Sequence, residues 1–203
     1  MNQIIQKIAK KYNIDPAFLK AFIEVESGGK GFDSNGKILI QFEPVWFKKL
    51  AQTELNEFKS TPKDKQNPDL INKWDTITSN KVSIQSKEWE AFNAAFSINP
   101  KAAMESTSIG LGQIMGLHWG RLGYNSVDEM RDCAKSGLEC QVEQIVKFLI
   151  TDKRMLTALK KLDFHLIATY YNGAGYKKLA ESIGREPYNI SLEKAYKKYK
   201  GTL

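Results

Sequence analysis

Residues 21–44 read AFIEVESGGKGFDSNGKILIQFEP and join the end of a predicted helix to a predicted β-strand. The helix begins at Asp15, an N-cap residue followed by proline at the first helical position, and it ends at the Gly-Gly pair 28–29. Beyond it, the Asn-Gly pair 35–36 separates two short extended runs, and such a pair is a strong hairpin signal. The segment therefore predicts a helix followed directly by a small β-hairpin.

The two glutamates at the end of this helix lie on different faces. Glu24 follows Lys20 by four residues, so the two side chains can pair on a solvated side. Glu26 follows Phe22 by four residues and Leu19 by seven, and so it continues the apolar stripe of the helix. A carboxyl group removed from water has a raised pKa, because its anion loses hydration. Glu26 is therefore a candidate general acid, and the alternative is an ordinary surface carboxylate.

The predicted strand presents two faces. In the run KILIQF, residues 37–42, the side chains at 38, 40 and 42 share one face, and those at 39, 41 and 43 share the other. If the second face lines a cleft, Glu43 can face Glu26 across it. Two carboxylates flanking a sugar linkage are the usual groups for glycoside hydrolysis, one as acid and one as base or nucleophile. The alternative for Glu43 is a strand-end carboxylate that caps or forms a salt bridge.

Helical patterns dominate the remainder of the chain. A first helix is predicted over about residues 3–12, where apolar residues recur at helical spacing. Residues about 51–87 are polar and rich in lysine, which predicts a loop-rich insertion with short helical pieces. We expect one domain over residues 1–203, mainly α, with a helical body and one small β-hairpin lobe that forms a cleft. Further helix starts are indicated at Glu88, Pro100, Ser126, Leu138 and Asp163.

The bulk composition fits a folded domain. Of the 203 residues, 42% are hydrophobic, and no run of about 18 apolar residues could span a membrane. The formal net charge of +7 favours an anionic partner: nucleic acid, a membrane surface or a bacterial cell wall. The alternative is a solvated surface with scattered lysines. Without an arginine-rich stripe or zinc-finger spacing, nucleic acid is not the expected partner.

The cysteines and histidines do not form a metal-binding pattern. Cys133 and Cys140 flank four residues, and free thiols are the default expectation for them, with a disulfide possible outside the cytoplasm. His118 and His165 are the only histidines and lack ligand spacing. We therefore expect no metal and no organic cofactor.

Four stretches together carry a family resemblance. They are VESGGKGF at 25–32, ILIQFEP at 38–44, ESTSIGLGQIMG at 105–116 and ATYYNGAGY at 168–176. In this order and combination the chain resembles the N-acetylmuramidase family of bacteriophage endolysins, within the lysozyme-like superfamily. The resemblance covers most of the chain outside residues about 51–87 and implies an α+β lysozyme-like fold.

The resemblance assigns roles to individual residues. Glu26 falls at the catalytic acid position of the superfamily, and Glu43 at the second carboxylate of the family. Gln113 matches the glutamine of the glycine-rich segment that lines the saccharide groove. Tyr171 and Asn172 match the pair that borders the acid and contacts substrate. No metal or cofactor is implied.

Three further positions bear on the groove. Small residues around Ser108 let the backbone approach a ligand so that amides reach sugar hydroxyls, and the alternative is a tight loop before a helix. Phe42 offers a sugar-stacking surface, although most aromatic residues at strand spacing belong to a core. Family members often carry arginine and histidine after the second glutamate, whereas this chain has proline and valine at 44–45, which could alter how Glu43 is held.

The resemblance implies hydrolysis of the β-1,4 bond between N-acetylmuramic acid and N-acetylglucosamine in peptidoglycan glycan strands. Glu26 protonates the departing oxygen, and Glu43 activates a water or stabilises the oxocarbenium-like centre. One alternative is a lytic transglycosylase that forms 1,6-anhydromuramic acid. Another is a non-catalytic wall-binding or membrane-active basic protein.

The setting implied by the resemblance is a phage lysin. The N-terminus lacks the apolar core of a secretory signal and is expected to be helical. We expect synthesis in the host cytoplasm and action in the periplasm or cell wall after release through a separate pore. A monomer is expected, with possible contact to an anionic envelope.

Overall fold

The structure, a computed structural model, describes residues 1–80 and 84–201. Its described residues form a mainly helical body and one small antiparallel sheet. The helices are α1 (Asn2–Tyr12), α2 (Pro16–Ser27), α3 (Pro44–Leu50), α4 (Gln52–Ser60), α5 (Pro68–Ser79), α6 (Gln85–Ile98), α7 (Pro100–Glu105), α8 (Val127–Ser136), α9 (Leu138–Ile150), α10 (Lys153–Lys161), α11 (Phe164–Asn172), α12 (Tyr176–Ser182) and α13 (Tyr188–Tyr199). The strands are β1 (Ile40–Phe42), β2 (Thr107–Ile109) and β3 (Ile114–Met115). Short 3₁₀ turns cover Lys63–Lys65 and Gly116–His118.

Helix α2 forms the centre of the body. Phe18, Leu19, Phe22 and Ile23 are at most 2% exposed, because three to four residues separate the members of this apolar face. The helix packs against α13 on one side and α1 on the other. Its predicted start is confirmed, since the Asp15 side chain accepts a hydrogen bond from the amide of Ala17 at 2.8 Å. This packing fixes the direction in which the end of α2 presents its side chains.

The predicted helix starts at Pro100, Ser126, Leu138 and Asp163 are also observed, whereas α6 begins at Gln85, three residues before the predicted start at Glu88. The Ser126 side chain accepts the amide of Glu129 at 3.1 Å, and the Asp163 side chain accepts the amide of Leu166 at 3.0 Å. Each bond satisfies a backbone donor that has no partner within its own helix. These local signals were readable because capping depends only on residues close in sequence.

The β lobe is confirmed but is built differently from the predicted hairpin. The tight turn is present, and the amide of Asp33 donates to the carbonyl of Lys37 at 2.8 Å. The amide of Leu39 also donates to the carbonyl of Gly31 at 3.0 Å, and these two bonds flank a single bridge between Phe32 and Ile38. Strand β1 pairs instead with β2, and β2 with β3, in the antiparallel order β1-β2-β3. The ladder therefore joins segments far apart in sequence, which a local hairpin signal cannot indicate.

The segment from 51 to 87 was predicted as loop-rich, and this prediction was wrong. It contains α4, α5 and the beginning of α6. Trp74 is 4% exposed and its ring lies 5.7 Å from that of Phe47. Asn67 caps α5 by accepting the amide of Asp69 at 2.9 Å. The polar composition of the segment concealed amphipathic helices, in which Leu55, Trp74 and Ile77 are buried.

The two cysteines form a disulfide, contrary to the default expectation of free thiols. Cys133 in α8 and Cys140 in α9 are joined, with 5.8 Å between their Cα atoms. The chain turns at Gly137, where φ is 152°, and the turn brings the two helix ends within disulfide range. No helix among the described residues is long and apolar enough to cross a bilayer.

Candidate active site

Glu26 stands at the edge of a cavity between the helical body and the β lobe. The cavity has a volume of about 240 Å³. The α2 helix ends one turn after the apolar face, at Gly28 with φ of 60°, so Glu26 is carried to the rim of the core. The cavity is lined by the end of α2, by β1, by α6 and by the loop before β3: Glu26, Ser27, Leu39, Ile40, Gln41, Gln85, Glu88 and Gln113.

The environment of Glu26 is that of a carboxyl group held away from water. Burial raises its pKa from 4.5 to about 7, because the anion is poorly solvated there. The hydrogen bond from Tyr188 and the nearby hydroxyl of Tyr171 act in the opposite direction, since they favour the anion. Burial dominates, so that Glu26 is substantially protonated near neutral pH and can donate a proton.

Two stacked tyrosines enclose Glu26. The hydroxyl of Tyr188, at the start of α13, donates to Glu26 Oε1 in a short hydrogen bond. The ring of Tyr171 stacks on that of Tyr188 at 5.8 Å and meets Phe22 edge-on at 5.0 Å. The Tyr171 hydroxyl donates to the carbonyl of Gly112 at 3.2 Å, which ties α11 to the groove loop. The sequence indicated Tyr171, whereas it gave no signal for Tyr188, which lies 162 residues from its partner.

Glu24 lies in the contrasting environment that the helical spacing predicted. Its carboxylate accepts hydrogen bonds from Tyr199 and from Lys198, the latter at 3.0 Å. The hydrogen bond from Tyr199, followed by that from Lys198, lowers the pKa of Glu24. The partner predicted from spacing, Lys20, instead donates to Asn2 at 3.0 Å. Glu24 therefore remains an anion on the solvated face of α2.

Glu43 is a half-buried carboxylate at the junction of β1 and α3. It precedes Pro44 as the N-cap residue of α3, and its Oε1 accepts a hydrogen bond from Gln41 Nε2 at 2.7 Å. Burial raises the pKa of Glu43, and the negative charge of Glu88 raises it further. Gln41 lines the cavity with Glu26, whereas Glu43 is not among the described residues that line it. Glu43 therefore lies next to Gln41, to which it is hydrogen-bonded.

Gln113 is brought into the cavity wall as the sequence indicated. It adopts a left-handed conformation with φ of 45°, and its Nε2 donates to the carbonyl of Gly110 at 2.8 Å. Ser108 lies at the centre of β2 opposite Gln41 and is only 7% exposed. Asn172 is the last residue of α11 and is exposed next to Tyr171. Of these three residues, Gln113 is among the described residues that line the cavity, whereas Ser108 and Asn172 are not.

Phe42 does not line the groove, and its prediction as a substrate-binding residue was wrong. It is 0% exposed, and its ring packs against that of Phe47 at 5.8 Å. Side chains alternate across a strand, so the residue that follows the groove-facing Gln41 must face the core. The same alternation had placed Phe42 with Ile38 and Ile40, and the structure buries all three.

Glu88 is the carboxylate in the cavity wall that the sequence did not single out. It lies in α6, is 2% exposed, and lines the same cavity as Glu26. Its Oε2 accepts the backbone amide of Phe42 at 2.8 Å. In sequence it was only the residue at which helical patterning resumes, and its position beside β1 depends on how α6 packs on the sheet.

A carboxyl group with a pKa raised to about 7 at the end of a core helix, beside a groove walled by a small antiparallel sheet, is the arrangement of a lysozyme-like glycoside hydrolase. A family model described as N-acetylmuramidase matches residues 15–200. The crystal structure of a Burkholderia AP3 phage endolysin is similar, with a TM-score of 0.78 and 28% identity, over 98% of this chain and 71% of that one. No curated protein matches. The chain belongs to the N-acetylmuramidase family and is a peptidoglycan hydrolase.

Proposed function

We propose that this enzyme hydrolyses the β-1,4 bond between N-acetylmuramic acid and N-acetylglucosamine, with Glu26 as the general acid. The observation that carries the proposal is the burial of Glu26 at the groove, which raises its pKa to about 7. A carboxyl group with this pKa is protonated in about half of the molecules at neutral pH, and the protonated form can transfer its proton to the departing glycosidic oxygen.

The remaining groove residues bind the sugar and support the charge that develops on it. Gln113 presents its amide in the cavity wall, Ser108 pairs with the cavity-lining Gln41, and Asn172 follows Tyr171 at the end of α11. The ring of Tyr171 stacks on that of Tyr188, whose hydroxyl donates to Glu26. As the second carboxylate of the family, Glu43 is proposed to stabilise the oxocarbenium-like centre or to activate water, with Gln41 holding it in place.

Product analysis tests this reaction directly. Purified peptidoglycan is digested and the new sugar ends are identified by mass spectrometry after reduction. Hydrolysis leaves reducible N-acetylmuramic acid ends, because water adds to the cleaved bond. Anhydromuramic ends would assign the enzyme to the transglycosylases, and new N-acetylglucosamine reducing ends would place the cleaved bond on the other side of the sugar.

The pH dependence of catalysis follows from the protonation of Glu26. The value of kcat/KM is expected to fall above about pH 7, approaching a tenfold loss per pH unit, because the anion cannot donate a proton. Tyr188→Phe removes a hydrogen bond that favours the anion, so the alkaline limb of the profile should move to higher pH. Initial rates of reducing-end release across pH measure both profiles. An alkaline limb that stays in place in the variant would show that Tyr188 does not act on the acid.

The net charge of +7 and the proposed site fit a lysin that meets an anionic envelope. In this proposal the enzyme acts as a monomer on the glycan strands, after release from the host cytoplasm through a separate pore. We expect the glycan strands, and not nucleic acid, to be its partner. Encounter with the wall should slow as salt screens the charge.

A further inference from the structure

Glu88 is a buried carboxylate, and only one of its two oxygens accepts hydrogen bonds from the described residues. Its Oε2 accepts the amide of Phe42 at 2.8 Å and Asn80 Nδ2 at 3.0 Å. Within residues 1–80 and 84–201, Oε1 accepts no hydrogen bond, and no lysine or arginine pairs with the group. Burying a carboxylate is costly unless it is bonded or has another use.

A charged side chain is not needed at position 88 to hold strand β1 in place. One turn earlier in α6, Gln85 covers the same free strand edge: its Oε1 accepts the amide of Ile40 at 3.0 Å, and its Nε2 donates to the carbonyl of Ile40 at 2.7 Å. A neutral side chain therefore holds the strand there. A glutamine at position 88 could likewise accept the amide of Phe42, without the cost of a buried charge.

The carboxylate of Glu88 lines the same cavity as Glu26, the proposed acid. Glu26 in α2 and Glu88 in α6 line the same space of about 240 Å³. That space is several times the roughly 30 Å³ that a water molecule occupies. Glu43, by contrast, is bonded to Gln41 and lies outside the described lining of the cavity.

We propose that Glu88 is the general base that activates the attacking water, an inference that rests on the proposed hydrolysis. Glu88 Oε1 takes a proton from water, and the water oxygen forms a bond to the anomeric carbon. The glycosidic C–O bond breaks, its electron pair stays on the departing oxygen, and that oxygen takes the proton of Glu26. Glu43 is then left to stabilise positive charge on the sugar. This arrangement inverts the anomeric configuration.

Glu88→Gln separates the chemical role from the structural one, because the amide oxygen can still accept the amide of Phe42. We expect the folded variant to lose about 100-fold or more in kcat on purified peptidoglycan, with little change in KM. Gln85→Ala is the matched control, since it loosens the same strand edge without removing a carboxylate. Its loss should be about tenfold or less. A Glu88→Gln variant with nearly full activity, or with no greater loss than Gln85→Ala, would overturn the assignment.

A second measurement uses added azide with Glu88→Ala. Azide can enter the space left by the carboxylate and attack the anomeric carbon, so partial recovery of rate with a glycosyl azide product is expected. Recovery without that product, or no recovery, counts against Glu88 as the base. In the unmodified enzyme, NMR should find that the first-formed product has the α configuration at its new reducing end. A first-formed β product would exclude Glu88 as the general base, and this measurement does not depend on the folding of any variant. If the wild type releases anhydromuramic ends, it is the proposed hydrolysis that fails.

Discussion

Glu26→Gln should abolish nearly all lytic activity while leaving the fold intact. The amide has the same shape as the protonated carboxyl group and can still accept the hydrogen bond from Tyr188, but it has no proton to give to the departing oxygen. Loss of a general acid lowers the rate by a factor of about 10² to 10⁴, and we expect the upper part of that range, because a sugar oxygen is a poor leaving group. Release of reducing ends from peptidoglycan measures the rate, and thermal unfolding checks the fold.

Glu24→Gln is the matched control for this experiment. Glu24 lies two residues earlier in α2, and its carboxylate pairs with Lys198 and Tyr199 on the solvated face. Removing a largely exposed ion pair costs about 1 kcal/mol or less and should leave the rate within about twofold. A folded Glu26→Gln protein that lyses cells as fast as Glu24→Gln would remove Glu26 from the mechanism.

Phe42→Ala should produce the largest loss of stability among single changes in the β lobe. The side chain is 0% exposed and packs on Phe47, so truncation removes buried contacts and leaves a cavity. A Phe→Ala change in a core costs roughly 3–5 kcal/mol. For a chain of this size, that loss lowers the melting temperature by roughly 10 °C. Thermal and denaturant unfolding measure the change.

Phe42→Leu distinguishes the core role of this residue from the substrate contact that the sequence suggested. Leucine keeps the site apolar and leaves a smaller cavity, so the cost should be roughly 1–2 kcal/mol. If Phe42 serves only the core, KM for peptidoglycan should stay within about twofold of the wild-type value at temperatures where the variant is folded. A clear rise in KM with a small loss of stability would indicate that Phe42 contacts the substrate.

The acid, the groove loop and the fold class were accessible from sequence because their signals are local. Helical spacing placed Glu26 on the apolar stripe and Glu24 on the other face, and a few residues of α2 suffice for that distinction. Capping residues such as Asp15 and Asp163 act on amides two or three positions away. The family motifs added Gln113 and Tyr171, which the structure brings to the groove and to the acid.

Other features depend on which distant segments meet, and local patterns carry no such information. The helices between residues 51 and 87 were not recognised from composition, because amphipathic helices with few apolar residues are as polar on average as loops. Cys133 and Cys140 could be paired only once the turn at Gly137 was known. The strand KILIQF was recognised, but its partner β2 lies more than sixty residues further along the chain.

The sequence by itself determined the family and the helical class, and it singled out Glu26 as the candidate proton donor, because each follows from side chains within one helix or one motif. Only the tertiary structure decided which carboxylate shares the cavity with Glu26 and which tyrosines enclose it. Tyr188 approaches from α13 and Glu88 from α6, and their roles arise from packing across the core. The raised pKa of Glu26 has the same origin, since the neighbours that exclude water from its carboxyl group come from helices far away in the chain.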